Sequence, residues 1–92
     1  MMTSTCKAAL ETWGGVSQTN MMFEEMSELQ KELCKNARGK QNKLDIAEEI
    51  ADVQIMLEQM ILLHDCRAEV TDWLTVKLLR LRRTIDDERN SR

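Results

Sequence analysis

Apolar residues recur every three or four positions along most of the chain, which is the period of an amphipathic α-helix. In the second segment, one narrow stripe of a helical wheel holds Met22, Met26, Leu29 and Leu33. Three breaks separate the periodic segments: Gly14-Gly15, the polar stretch 36–43 and the pair Asp65-Cys66. Because glycines and polar clusters end helices, the pattern predicts helices over residues 4–13, 17–35, 42–64 and 67–87. The last residues, 88–92, are predicted to fray.

Two polar residues are predicted to cap helices. Ser17 precedes the second apolar stripe and is a residue type that favours helix N-termini. Asn42 precedes the third stripe, with Asp45 three residues later, in the manner of a capping box that carries Asp instead of Glu or Gln. Since the chain also contains no proline and only three glycines, the expected fold class is all-α with four helices.

The third helix is apolar on two sides. One stripe consists of Ile46, Ile50, Val53, Leu57 and Met60. The nearly opposite stripe consists of Leu44, Ala51, Ile55 and Leu62. A helix that is apolar on two sides is buried from two sides. Because four short helices offer little to cover the second stripe, the pattern predicts a homodimer or higher oligomer with this helix at the interface.

Length and charge narrow the possible functions. Ninety-two residues suffice for one domain, taken as residues 1–92. A net charge of −3 gives no reason to expect nucleic acid or an anionic membrane as a partner. The longest apolar run, residues 60–63, is far shorter than the roughly 20 residues that span a bilayer. The N-terminus lacks the apolar stretch of a signal peptide. We therefore expect a soluble, cytoplasmic protein.

Two acidic motifs lie beside the apolar stripes. The second helix carries E-E-x-x-E at residues 24–28, and the third carries E-x-x-D at residues 49–52. Acids on helices are usually solvated surface, but residues three apart share a face, and Glu25 and Glu49 both lie at the margin of an apolar stripe. Antiparallel packing would bring the two motifs to similar depth. Crowded, partly buried carboxylates then need raised pKa values or a cation. Oxygen ligands favour Mg²⁺, with Mn²⁺ as the alternative.

The spacing and context of these motifs resemble a known family. E-E-x-x-E, then the twenty residues 29–48, then E-x-x-D, flanked by TWGGVSQTNMMFEEMSEL and DIAEEIADVQIMLEQ, is similar to the signature of the all-α nucleoside triphosphate pyrophosphohydrolases, the MazG-like family. The resemblance covers residues 10–65 and weakens into the fourth helix. It implies a four-helix MazG-like bundle, completed by oligomerisation as a dimer or tetramer, that hydrolyses a nucleoside triphosphate to the monophosphate and pyrophosphate with Mg²⁺.

Carried over by position, the resemblance also implies roles for individual residues. The implied metal ligands are Glu25, Glu28, Glu49 and Asp52. Glu24, the first acid of the first motif, is implied as the catalytic group that orients the attacking water. Phosphates also call for cations, and the fourth helix offers Lys77 and Arg80.

Each candidate substrate contact has a structural alternative. Lys77 falls inside an apolar arc, where a lysine either meets an anion or extends to solvent and pairs with a structural carboxylate. Trp13 and Gln18 are candidates to contact the base, although a tryptophan in a small bundle is more often a core residue. The rival hypothesis for the whole chain is a non-catalytic, oligomeric helical interaction module. Too few outward cations on the fourth helix disfavour a nucleic-acid-binding regulator.

Overall fold

The computed structural model describes residues 1–91, which form four α-helices and no strand. The helices are α1 (Met2–Trp13), α2 (Gly15–Ala37), α3 (Lys43–His64) and α4 (Arg67–Asn90). The predicted all-α class is therefore confirmed. α4 continues to Asn90, beyond the predicted end at residue 87, and Arg92 lies outside the described residues. Within the last turns, the Arg82 Nη2 group donates to Asp86 Oδ1 at 2.7 Å, a pair that supports a helix.

The double glycine has two separate effects. Gly14 ends α1 with a φ of 87°, a backbone conformation that glycine adopts without strain. Gly15 then begins α2 where this helix passes close to α3, since a Cβ at Gly15 would lie 2.7 Å from Leu63 Cδ1. The predicted cap at Ser17 is wrong, because α2 has already begun at Gly15 with Gly14 as its N-cap residue.

Asn42 occupies the N-cap position of α3 but makes no side-chain capping bond, so the predicted capping box is wrong. Its Nδ2 group instead donates to the backbone oxygen of Glu32 at 2.9 Å and to Glu32 Oε2 at 2.8 Å. These bonds hold the start of α3 against the last turns of α2. The hydrogen bond from Asn42, with a second from Lys35, lowers the pKa of Glu32.

The core lies between α2 and α3, which pack side by side in an antiparallel pair with α1 laid against α3. Met22 of α2 and Met56 of α3 are buried there. From α1, the buried Cys6 thiol points to the backbone oxygen of Ile55 at 3.6 Å. α1 therefore reaches the backbone of α3 at the predicted second stripe. Two side chains of that stripe stay exposed, Ile55 at 44% and Leu44 at 82%.

The fourth helix extends away from the body formed by α1, α2 and α3. Among residues 1–91, α4 contacts no helix except α3, and none of its side chains is buried. One buried carboxylate forms the joint between α4 and the rest of the chain. Glu58 accepts a hydrogen bond from Thr3 of α1 at 3.0 Å and forms an ion pair with Arg67, the first residue of α4. The radius of gyration is 16.7 Å, against about 12 Å for a compact domain of this length.

A membrane crossing would require a longer apolar stretch than any of the described helices contains.

Candidate functional site

Three of the predicted carboxylates meet across the α2–α3 pair. One carboxylate oxygen from each of Glu25, Glu49 and Asp52 lies within 4.8 Å of the others, and all three residues are half-buried. Glu25 comes from α2, while Glu49 and Asp52 lie one turn apart on α3. Antiparallel packing thus brings the two motifs to the same depth, as the spacing predicted. We call these three residues the carboxylate cluster.

Crowding changes the protonation of the cluster. Burial raises the pKa of Glu25, and the negative charges of Asp52 and Glu49 raise it further. Hydrogen bonding to Asp52 raises the pKa of Glu25 as well, because only a protonated Glu25 carboxyl can donate to a carboxylate. Burial also raises the pKa of Glu49, followed by the charges of Asp52 and Glu28. The cluster therefore favours a bound proton or a bound cation over three free charges.

The fourth predicted ligand lies at the rim. Glu28 is exposed, and its Oε1 atom lies 3.6 Å from Lys31 Nζ. It lies outside the carboxylate cluster but near enough for its charge to raise the pKa of Glu25 and Glu49. Glu24 is also exposed and lines an open hollow on α2 together with Glu25 and Glu28. The hollow therefore opens onto Glu25 of the carboxylate cluster, on the side of α2 that carries Glu24 and Glu28.

The predicted substrate contacts are not brought to the cluster. Lys77 and Arg80 are exposed on α4, which makes no contact with α2 in the described chain. Lys77 Nζ instead lies 5.6 Å from the ring centroid of Trp73, a cation–π distance. Trp13 is exposed at the end of α1, whereas Gln18 is buried in α2, seven residues before Glu25. Seven helical residues correspond to about 10 Å along the axis.

Residues outside the two acidic motifs, which the sequence did not mark as part of the site, connect the helices around the carboxylate cluster. Glu58 fastens α1 and α4 to α3, and Asn42 fastens the α2–α3 connection. Gln59 is buried with its Oε1 atom unpaired, and its Nε2 donates only to the Met56 sulfur at 3.6 Å. The position of Gln59, three residues after Met56 and seven after Asp52, was a usable signal because these spacings share a helix face. For Glu58, the sequence offers no comparable signal.

No family model, curated protein or solved structure matches this chain.

The residues present fit a hard divalent cation. Glu49 Oε2 is buried and has no hydrogen-bond partner, so one ligand oxygen of the cluster is desolvated without compensation. Carboxylate oxygens are the ligands that Mg²⁺ and Mn²⁺ take, and water and substrate oxygens commonly fill the remaining positions. A cation at the cluster would pair the Glu49 oxygen and relieve the repulsion that raises the pKa of Glu25 and Glu49.

Proposed function

We propose that this protein is a Mg²⁺-dependent nucleoside triphosphate pyrophosphohydrolase, which converts an NTP or dNTP to the monophosphate and pyrophosphate, with Mn²⁺ as an alternative metal. The observation that carries the proposal is the convergence of Glu25, Glu49 and Asp52 within 4.8 Å across two antiparallel helices. The resemblance of the two acidic motifs to the MazG-like signature supports this reaction in particular.

The proposed roles follow from the position of each side chain. Glu25, Glu49 and Asp52 would hold the metal, with Glu28 on the next turn of α2 as the fourth ligand. A bound Mg²⁺ neutralises phosphate charge and lowers the pKa of a coordinated water. Glu24 lines the hollow beside Glu25 and orients the attacking water. Its exposed carboxylate can take the proton that the water loses.

Phosphate binding also requires basic side chains, and the carboxylate cluster contains none. Lys77 and Arg80 are the proposed phosphate contacts, but α4 does not touch α2. In this proposal the protein is a homo-oligomer, a dimer or tetramer, and α4 reaches the carboxylate cluster of a neighbouring copy. Trp13 and Gln18 are the proposed contacts of the base, toward the Gly15 end of α2.

Pyrophosphate release from a panel of canonical and modified nucleoside triphosphates tests the proposal. We expect turnover of at least one substrate with Mg²⁺ and none in EDTA. Glu49→Gln should lower kcat by about 10²–10³-fold, the usual effect of removing one electrostatic stabiliser of the transition state. Glu48→Gln, which changes an exposed neighbouring acid, should leave the rate nearly unchanged.

One observation supports the second candidate, a non-catalytic helical interaction module. Large apolar side chains of α4 are exposed, among them Trp73, Leu74 and Leu78, and such surfaces mark protein contacts in general. Absence of turnover on the whole panel, together with no stabilisation by Mg²⁺, would favour this module over the enzyme. Turnover that EDTA abolishes would favour the enzyme.

A further inference from the structure

One face of α4 carries a narrow apolar seam. Its four residues follow one another at intervals of four, three and four positions: Leu74, Leu78, Leu81 and Ile85. At about 100° per residue they fall within an arc of about 60°. The three leucines are each more than half exposed, and no side chain of α4 is buried. Helices that pack along one other helix show this spacing. We call these four residues the α4 seam.

Basic residues line both margins of the α4 seam. Lys77 borders the seam on one side, and Arg82 and Arg89 border it on the other. All three are exposed. No acid occurs between residues 73 and 85, and Glu88 follows the seam at its C-terminal end. The other acids of α4 lie away from the seam: Glu69, Asp72, Asp86 and Asp87. Both margins of the seam are therefore positively charged.

The contacts that these bases make within the chain can be exchanged. Lys77 Nζ lies over the Trp73 ring, 5.6 Å from its centroid. Arg82 Nη2 lies 2.7 Å from Asp86 Oδ1, and both side chains of this pair are more than half exposed. Exposed ion pairs contribute little stability because water screens them. A carboxylate on a partner could therefore replace Asp86 beside Arg82 at little cost.

The same charges disfavour pairing of the α4 seam with the α4 seam of a second copy. In a parallel helix pair, a residue at one margin faces the margin residue five positions later in its partner, which sets Lys77 against Arg82. In an antiparallel pair each margin faces its own equivalent, which again sets base against base. Like charges that meet across an interface oppose association. The margins therefore favour a different partner over a second copy.

The width of the α4 seam favours a partner helix over a lipid surface. Helices that lie on a membrane bury a broad apolar face, whereas a seam only one or two side chains wide is covered by a single helix. Because α4 contacts no helix except α3 in the described chain, the seam is accessible. Charge complementarity then requires acids beside the seam of the partner.

We propose that α4 binds an amphipathic helix of another protein, in which an apolar seam is flanked on both sides by Asp or Glu. Residues 74–85 span about two heptads, fewer than the three to four that sustain an autonomous coiled coil. We therefore expect a reversible contact. The inference rests on the exposure and charge of α4 and holds whether or not the carboxylate cluster is catalytic.

Binding of synthetic helical peptides to the full-length chain tests the inference. One labelled peptide of about four heptads carries leucine along its seam and glutamate at both margins. A second peptide carries lysine at the margins and is otherwise identical. Fluorescence anisotropy at low salt measures both affinities. We expect the glutamate peptide to bind at least about tenfold more tightly than the lysine peptide. This ratio should fall as salt screens the charges.

Charge reversal at the margins should exchange the preference. Lys77→Glu combined with Arg82→Glu places an acid on each side of the α4 seam, so this double variant should prefer the lysine peptide. Arg80→Glu combined with Arg83→Glu is the matched control, because it reverses two exposed bases on the side of α4 away from the seam. The control should still prefer the glutamate peptide.

Truncation within the α4 seam tests its apolar part. Leu78→Ala should weaken binding of the glutamate peptide at least about tenfold, because it removes apolar surface that the complex buries. Leu79→Ala, which shortens an exposed leucine outside the seam, should leave the affinity nearly unchanged.

Several results would overturn the inference. They are binding of neither peptide, which is expected if a neighbouring copy covers the α4 seam, equal binding of both peptides, or a margin reversal that keeps the wild-type preference. Binding to phosphatidylserine vesicles without binding of the glutamate peptide would assign the seam to a membrane instead. Circular dichroism shows whether each variant folds, and the wild-type comparison of the two peptides stands without any variant. Turnover of nucleotides, or its absence, bears on the catalytic proposal alone.

Discussion

The α2–α3 pair and α4 are built from helices of nearly equal length, and each helix carries an apolar stripe, yet only the pair has a core. At one end of the pair Gly15 lies against Leu63, and toward the middle Met22 and Met56 are buried. α4, with 24 residues, buries none. An apolar stripe therefore indicates that a helix needs a packing partner. It does not identify the surface that covers the stripe.

The joint between the two regions explains why α4 does not fold back. Asp65 ends α3 in the left-handed conformation, with a φ of 50°, which Asp tolerates better than most residues. Arg67, at the first position of α4, is then fastened by the buried Glu58 carboxylate, which Thr3 also contacts. The direction of α4 is therefore set by the turn and by an ion pair, not by packing along its length.

The largest expected effect is the difference in stability between a substitution in the core of the α2–α3 pair and one on α4. Met56→Ala should lower the free energy of unfolding by about 2–5 kcal/mol, because it empties buried volume. Leu79→Ala changes a side chain that is 67% exposed and lies away from the Leu74–Leu78 stripe. Its effect should stay within about 0.5 kcal/mol. Urea denaturation of both variants measures the contrast, and equal losses would mean that α4 is packed in solution as tightly as α3.

A smaller effect is expected at the joint. The ion pair with Arg67, followed by the hydrogen bond from Thr3, lowers the pKa of Glu58. A carboxylate with a lowered pKa stabilises the fold above its unfolded pKa, and this contribution is lost as the pH falls through the folded value. Glu58→Gln should therefore lower Tm at pH 7, and the difference from wild type should shrink toward acid.

Glu69→Gln is the matched control for the joint, since Glu69 is an exposed acid in the first turn of the same helix. Thermal melts at several pH values compare the two variants. A Glu58→Gln variant with the wild-type Tm at pH 7 would show that the joint does not hold α4 to the body.

The smallest expected effect is at the carboxylate cluster, and it has the opposite sign. The raised pKa values of Glu25 and Glu49 favour the fold when the groups are protonated. That contribution is complete below the unfolded pKa and is lost as the pH rises through the folded value. In EDTA at pH 7, Glu49→Gln should therefore match or exceed the wild-type Tm, because it removes one crowded charge.

Mg²⁺ should then raise the Tm of the wild type more than that of Glu49→Gln, because binding to the folded state alone stabilises it. Melts with and without Mg²⁺ measure this difference. A sharp loss of stability in EDTA on the Glu49→Gln change would instead make Glu49 a structural hydrogen-bonding residue.

Local features of the fold could be read from the sequence with little error. The break at Gly14-Gly15 and the corner at Asp65-Cys66 both occur as predicted, because positive φ angles and polar turns depend on a few adjacent residues. The predicted capping bond of Asn42 is wrong because capping also depends on partners that lie further away in the chain. Asn42 has a better partner in Glu32, ten residues earlier in the chain, and no local rule includes that competitor.

The sequence by itself determined the helices, their apolar stripes and the acids that a hairpin of α2 and α3 could bring together, since all of these follow from helical periodicity. Only the tertiary structure decided that Glu25, Glu49 and Asp52 meet while Glu28 stays at the rim. It also decided that α1 lies against α3 and that α4 departs from the body. The physical reason is that burial depends on which surfaces meet, and contacts distant in sequence, such as those of Glu58, determine which surfaces do.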